Sequence, residues 1–100
     1  LAHLAKPQGK LYIDAGATRA VRSGENSLLA AGITAVHGEF EAGDAVEVCN
    51  EQGSVLARGL VNYASHELPA MLGRTTSQLA TWLGEGYERA VIHVDDLALV

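Results

Sequence analysis

Residues 14–24, DAGATRAVRSG, follow the apolar run LYI. They carry the residue types of a phosphate-binding loop: a glycine between a strand and a helix that opens with Thr18 and Arg19. A P-loop needs G-x-x-x-x-G-K-[ST], so that backbone amides and a Lys surround the phosphates. Gly16 and Gly24 stand too far apart for that spacing, and no Lys follows. The dinucleotide fingerprint needs three glycines at G-x-G-x-x-G, and this stretch has two. An open helix N-terminus attracts anions, but Asp14 stands at this one and repels them. The stretch therefore reads as a tight glycine turn that binds nothing.

Other chemistry-bearing residues reduce in the same way. HVDD (93–96) places His93 and Asp95 on one strand face with Asp96 just beyond. Two ligands on a strand do not complete a metal or acid–base site, and no second His/Asp/Glu pair stands out as a partner. The carboxylates there read as acceptors for loop amides. Ser65 and His66 are merely adjacent, and no G-x-S-x-G elbow surrounds them. Cys49 lies in an alternating stretch with no basic neighbour in sequence, which reads as a buried, inert thiol. Trp82 falls on a helical apolar stripe and reads as core. Arg19 and Arg22 read first as a solvated helix face.

The elements that hold these residues are short. KLYID (10–14) is a strand, and Asp14 caps a helix with Ala17, Ala20 and Val21 on one side and Arg19 and Arg22 on the other; Gly24 stops it. GITAVHG (32–38) alternates Ile33, Ala35 and His37 against Thr34, Val36 and Gly38, as a strand with a buried face does. EFEAGD (39–44) is a turn with Gly43 available for positive φ. AVEVCN (45–50) and VLARGLVNY (55–63) are strands joined by the EQGS hairpin, and Gly59 marks a bulge or a close backbone approach. SHELPAMLG (65–73) is a short or imperfect helix, with Ser65 as cap, Leu68, Met71 and Leu72 as its stripe and Pro69 disturbing it. TTSQLATWLG (75–84) is a cleaner one, with Thr75 and Gln78 as a capping box, Leu79, Trp82 and Leu83 as its stripe and Gly84 as its stop. RAVIHVDDLALV (89–100) closes as one or two strands with a kink at Asp95–Asp96. The pattern predicts a mainly β domain with peripheral helices: one early helix and a late pair of short ones.

Composition narrows the partners. The 100 residues are one domain's worth and can bury a core without metal or disulfide staples. One cysteine precludes an intramolecular disulfide and fits a reducing compartment. The net charge of −5, with 12 acidic and 7 basic residues, argues against broad nucleic-acid binding, which needs Lys and Arg to neutralise phosphates. No run of about 18 apolar residues spans a membrane. LAHLAKPQGK is not a secretory signal, and it lacks an initiating Met, so the chain reads as part of a longer polypeptide.

The motifs taken in order go further. DAGATRAV, SLL (27–29), GI (32–33), GEFEAGDAVEVCN (38–50), LARGLVNYAS (56–65), LGRTTSQLATWLG (72–84) and VIHVDDL (91–97) together resemble the C-terminal PUA domain of bacterial glutamate 5-kinases. The G-x-F-x-x-G-D turn is shared by PUA domains in general. The ARGLVNY-S segment, the paired helices ending in LG and the IH-DDL close point to the kinases. Two positions depart from that family. Ala30–Ala31 stand where it often has a Pro, and Val94 stands where a basic residue often separates the His from the two Asp.

The resemblance implies a PUA-type pseudo-barrel over residues 9–100, with 1–8 as the tail of a linker from an N-terminal amino-acid-kinase domain. It implies a cytoplasmic parent enzyme that uses ATP and Mg2+ to phosphorylate the side-chain carboxylate of glutamate, the first step of proline synthesis. The phosphoryl-transfer chemistry, with the glutamate and proline sites, belongs to the kinase domain. No catalytic, cofactor-binding or metal-binding residue carries over to this numbering. Two roles remain. One is a regulatory or structural appendage that contacts the kinase domain and neighbouring subunits. The other is an RNA-binding module, in which Lys10, Arg19 and Arg22 would meet the nucleic acid. Net charge and the lack of aromatic–basic interleaving favour the first.

Overall fold

The computed structural model describes residues 7–84 and 89–100, so most of the expected linker tail, residues 1–6, lies outside the described residues. Five strands form one sheet: β1 (Gly9–Ile13), β2 (Ile33–Gly38), β3 (Ala45–Cys49), β4 (Val55–Leu60) and β5 (Leu97–Leu99). Their order is β2-β1-β3-β4-β5. β1 and β3 run parallel, and the other neighbouring pairs are antiparallel. Helix α1 (Ala15–Arg22) follows β1, and α2 (Thr76–Leu83) precedes the closing segment. Short 3-10 turns stand at Ala30–Gly32, Leu68–Ala70 and Val94–Asp96. The mainly β architecture with peripheral helices is the one the sequence predicts.

The core lies against one face of the sheet. Leu11 and Ile13 of β1 and Val46 and Val48 of β3 are fully buried there. Leu68 and Met71 are also fully buried, each stabilising the fold by about 1.5–3 kcal/mol relative to exposure. An isolated antiparallel bridge, Leu28–Ile92, ties the segment after α1 to the closing segment, with N···O distances of 2.9 Å and 2.8 Å for Leu28 N to Ile92 O and Val91 N to Leu28 O.

Several local expectations change in the fold. The register between β1 and β2 slips, so that Tyr12 faces Ala35 while Ile13 faces Ile33. The extra residue, Thr34, bulges out, and every side chain beyond it swaps face. Ile33 is therefore buried, Val36 packs against the core opposite Leu11, and His37 is exposed. A regular strand would have put Ile33, Ala35 and His37 together.

β4 leaves the sheet after Leu60 rather than Tyr63. Its continuation bonds elsewhere: Val61 N donates to Asp44 O (3.0 Å) and Asn62 N to Val91 O (2.8 Å). Ser65 caps no helix. Its Oγ accepts from Phe40 N at 3.1 Å, and the short, imperfect helix expected around Pro69 is a 3-10 turn over Leu68–Ala70. α2 forms with its capping box in place: Gln78 N donates to Thr75 Oγ1 (3.2 Å) and Thr75 N to Gln78 Oε1 (2.9 Å). Its stripe, however, is only partly core. Leu79 is buried, while Trp82 is 60% and Leu83 39% exposed. The expected kink in the closing segment is the Val94–Asp96 turn, after which β5 pairs with β4.

Candidate nucleic-acid interface

The strand-to-helix junction is closed by a side chain of its own. Asp14 has an extended backbone (φ −79°, ψ 178°) and is the N-cap of α1. Its Oδ1 accepts from Ala17 N at 2.8 Å, and Thr18 Oγ1 donates to Asp14 O at 2.8 Å. The carboxylate thus occupies the place an anion would take. Gly16 makes no turn, contrary to the sequence reading: it lies in the first turn of α1, and its φ is not positive. The turn is made by Asp14 alone.

The three basic residues singled out from the sequence fall in two places. Arg19 and Arg22 lie three apart on the exposed side of α1, in its last turn, where cations complement the helix dipole. Among the described residues neither guanidinium joins an ion pair. Beyond them the chain is pinned: Ser23 Oγ donates to Ala20 O (2.7 Å), and Asn26 Nδ2 donates to Ser23 Oγ (3.0 Å).

Lys10 sits on the outer face of the sheet, between His37 of β2 and Glu47 of β3. Glu47 is in turn 3.6 Å from Arg58 of β4. The row His37–Lys10–Glu47–Arg58 therefore crosses four strands, with its charges interleaved. Next to it Tyr12 meets His37 edge to face, with ring centroids 5.0 Å apart. A shallow depression of about 410 Å³ opens here, lined in part by Gln8, Lys10, Tyr12, His37 and Glu47. Lys10 thus lies on a strand of the sheet, and the two arginines on the exposed side of α1. His37, Tyr12 and Arg58 were not singled out from the sequence. Tyr12 shares the Lys10 face through the two-residue spacing of the strand, whereas strand register alone brings His37 and Arg58 into the row, and no spacing in the chain signals them.

Cys49 lies beside Tyr12 in β3 and is fully buried. Burial pushes its thiol pKa up, the Lys10 charge lowers it and Glu47 raises it again. A basic neighbour thus exists in space that the sequence did not show. Desolvation is the larger effect, and the thiol stays protonated and unreactive.

The HVDD segment departs from its sequence reading in detail. It is the imidazole and a hydroxyl, rather than the carboxylates, that receive the amides. Asp95 N donates to His93 Nδ1 (3.1 Å), and Val94 N donates to Ser27 Oγ (2.8 Å). His93 Nδ1 also stands 3.6 Å from Asp95 Oδ2. Among the described residues no three His, Cys, Asp or Glu side chains converge to hold a metal ion. No helix among them is long and apolar enough to cross a membrane.

The sheet and its flanking turns have the form of a PUA pseudo-barrel, and the sequence profile of the PUA domain matches residues 9–83, so the chain belongs to the PUA-domain family. Within it the relatives are specific. The glutamate 5-kinase of Salinispora arenicola is 56% identical over 100 residues, which is 100% of this chain and 27% of that protein. The glutamate 5-kinase of Bifidobacterium adolescentis is 56% identical over 94 residues, 94% of this chain and 25% of that protein. That of Streptomyces coelicolor is 51% identical over 100 residues, again 100% and 27%. The chain thus spans about a quarter of the length of the curated relatives it matches.

Among solved structures, a PUA domain from Aeropyrum pernix K1 in a tartrate complex superposes with a TM-score of 0.62 at 25% identity, over 86% of this chain and 41% of that one. A chain of the archaeal box H/ACA sRNP Nop10-Cbf5 complex superposes with a TM-score of 0.64 at 20% identity, over 93% of this chain and 24% of that one. At that identity the likeness speaks for the fold alone.

Proposed function

We propose that this chain is the C-terminal PUA domain of a glutamate 5-kinase, formed by residues 9–100, with residues 1–8 leading into it from an amino-acid-kinase domain. The observation that carries the reading is identity of 51–56% along the whole chain with kinases about four times its length. The parent enzyme transfers the γ-phosphoryl of ATP, with Mg2+, to the side-chain carboxylate of glutamate in the cytoplasm. That chemistry needs a phosphate-gripping Lys and metal-binding acids placed around the nucleotide. It belongs to the remaining three quarters of the polypeptide, and this domain acts on it from outside.

The physical means is linkage. A domain that contacts two conformations or assembly states unequally biases their balance, and any ligand that prefers one state feels the bias. A differential contact energy of about 1–3 kcal/mol moves an apparent affinity by roughly 5- to 150-fold. The test compares the full-length kinase with a version lacking residues 9–100. The truncated enzyme keeps phosphoryl-transfer activity, while its proline inhibition, Mg2+ dependence or sedimentation shifts. Coincident curves in all three measurements would refute a regulatory role, and RNA binding through Arg19 and Arg22 would then move ahead.

A further inference from the structure

Helix α2 is unusual for a surface element. From Thr75 to Gly84 the chain has no charged residue, although the domain carries 12 acidic and 7 basic ones. A surface helix normally turns charged and polar residues to water and its apolar stripe to the core. α2 buries Leu79 but leaves Trp82 60% and Leu83 39% exposed. Trp82 is also held in place. The Arg74 guanidinium lies 4.1 Å from the centre of its ring, and Arg74 Nε donates to Ala70 O at 2.8 Å. The cation is thus fixed to the preceding turn, and the exposed ring is packed against it. Depletion of charge around Trp and Arg is the composition of a protein-binding surface, and these two types are the ones that most often anchor such surfaces.

We infer that this face of α2 docks on the kinase domain of the same polypeptide, with Trp82 as its anchor. The inference rests on the reading of the chain as a kinase appendage. Size favours that occupant over a second copy of the domain. The exposed apolar area of Trp82 and Leu83 is on the order of a few hundred Å². A stable complex between free partners needs about 800 Å² per side. A tethered partner needs less, because the linker holds it at high effective concentration. The curated relatives are about four times the length of this chain, so such a tethered body is available.

The experiment uses the full-length kinase and the rate at which a maleimide labels a single introduced thiol, read by peptide mass. Leu83→Cys, beside Trp82 on the exposed part of the stripe, reports the proposed face. Gln52→Cys, at the exposed tip of the β3–β4 turn, is the reference. Leu83→Cys is expected to react at least ten-fold more slowly than Gln52→Cys. Adding Trp82→Ala is expected to bring it to the reference rate. Equal rates in the two single variants overturn the inference, and so does slow labelling that Trp82→Ala leaves unchanged. Slow labelling that disappears on dilution assigns the face to a second copy and overturns the kinase domain as occupant. A truncated kinase with unaltered curves would sink the regulatory role without touching the labelling contrast, so the two failures are separable.

Discussion

Gly59 of β4 offers a sharp test of how the core is packed. A Cβ at this position would stand 2.7 Å from Ile92 Cγ2, 2.9 Å from Asp96 O and 3.2 Å from Ile92 Cδ1. Carbon atoms pack at about 3.5–4.0 Å, so Gly59→Ala demands a shift of about 0.8 Å or more from Ile92 and a smaller one from Asp96 O. Neither neighbour yields easily. Ile92 is fully buried and bridged to Leu28, and Asp96 O is backbone in the turn that feeds β5. Overpacking of this kind costs about 1–3 kcal/mol. The stiffer unfolded chain offsets about 0.4–1 kcal/mol of that. The net loss, about 1–2 kcal/mol, should lower Tm by roughly 5–15 °C in a domain of this size, measured by thermal unfolding followed by circular dichroism. The double variant with Ile92→Ala should be more stable than the sum of the single effects by 1 kcal/mol or more, on the order of couplings between touching residues. A Gly59→Ala protein within about 0.5 kcal/mol of the parent, or strict additivity with Ile92→Ala, would refute the close-approach account.

Thr75→Ala should cost about 0.5–2 kcal/mol in urea unfolding, because it removes the oxygen that holds Gln78 N. Cys49 has a raised pKa in the fold, so its contribution to stability is complete below the unfolded thiol's pKa of about 8.5 and is lost as pH rises from there toward the folded value. Unfolding free energies of the wild type should thus fall above about pH 8.5 by up to roughly 1.4 kcal/mol per pH unit, and Cys49→Ala should flatten that limb. If RNA binds at all, Arg19 and Arg22 supply two phosphate contacts and Lys10 none. The log–log salt slope should then be roughly −1.4 to −1.8, and a filter-binding assay should show loss with Arg19→Glu plus Arg22→Glu but not with Lys10→Glu.

Much of the fold was legible because its punctuation is local. Asp14, Thr75 and Gln78 cap their helices through atoms within three residues of each other. Gly43 supplies the positive φ its turn left room for, and the EQGS hairpin turns on Gly53, also at positive φ. Gly59 announced a close approach that the structure makes with Ile92. What escaped is decided by distant partners. The Thr34 bulge depends on how β2 meets β1, and it turned His37 outward against the alternation. The end of β4 is set by Asp44 and Val91, which capture Val61 and Asn62. Ser65 looks like a helix cap in sequence, but its hydroxyl is taken by Phe40, 25 residues earlier.

The candidate surfaces depend still more on distant partners. Lys10, Arg19 and Arg22 are close in sequence, and that closeness suggested one basic patch. The strand and the helix carry them to separate surfaces, and register then surrounds Lys10 with Glu47 and Arg58. A cation set among alternating charges gives little net field for a phosphate chain to follow, whereas Arg19 and Arg22 stand three apart on α1 and join no ion pair among the described residues. Trp82 shows the converse. Its spacing with Leu79 is that of a core stripe, and Leu79 does enter the core. An eight-residue helix turns barely twice, so one buried residue is enough to seat it. The rest of the stripe is core or docking surface according to what lies opposite. Among the described residues Arg74 lies over the Trp82 ring, and the rest of the ring stands exposed beside Leu83 on a helix without charges, an apolar patch of the kind that marks an interaction site. That patch is the physical reason to look for its cover on the body to which the domain is tethered.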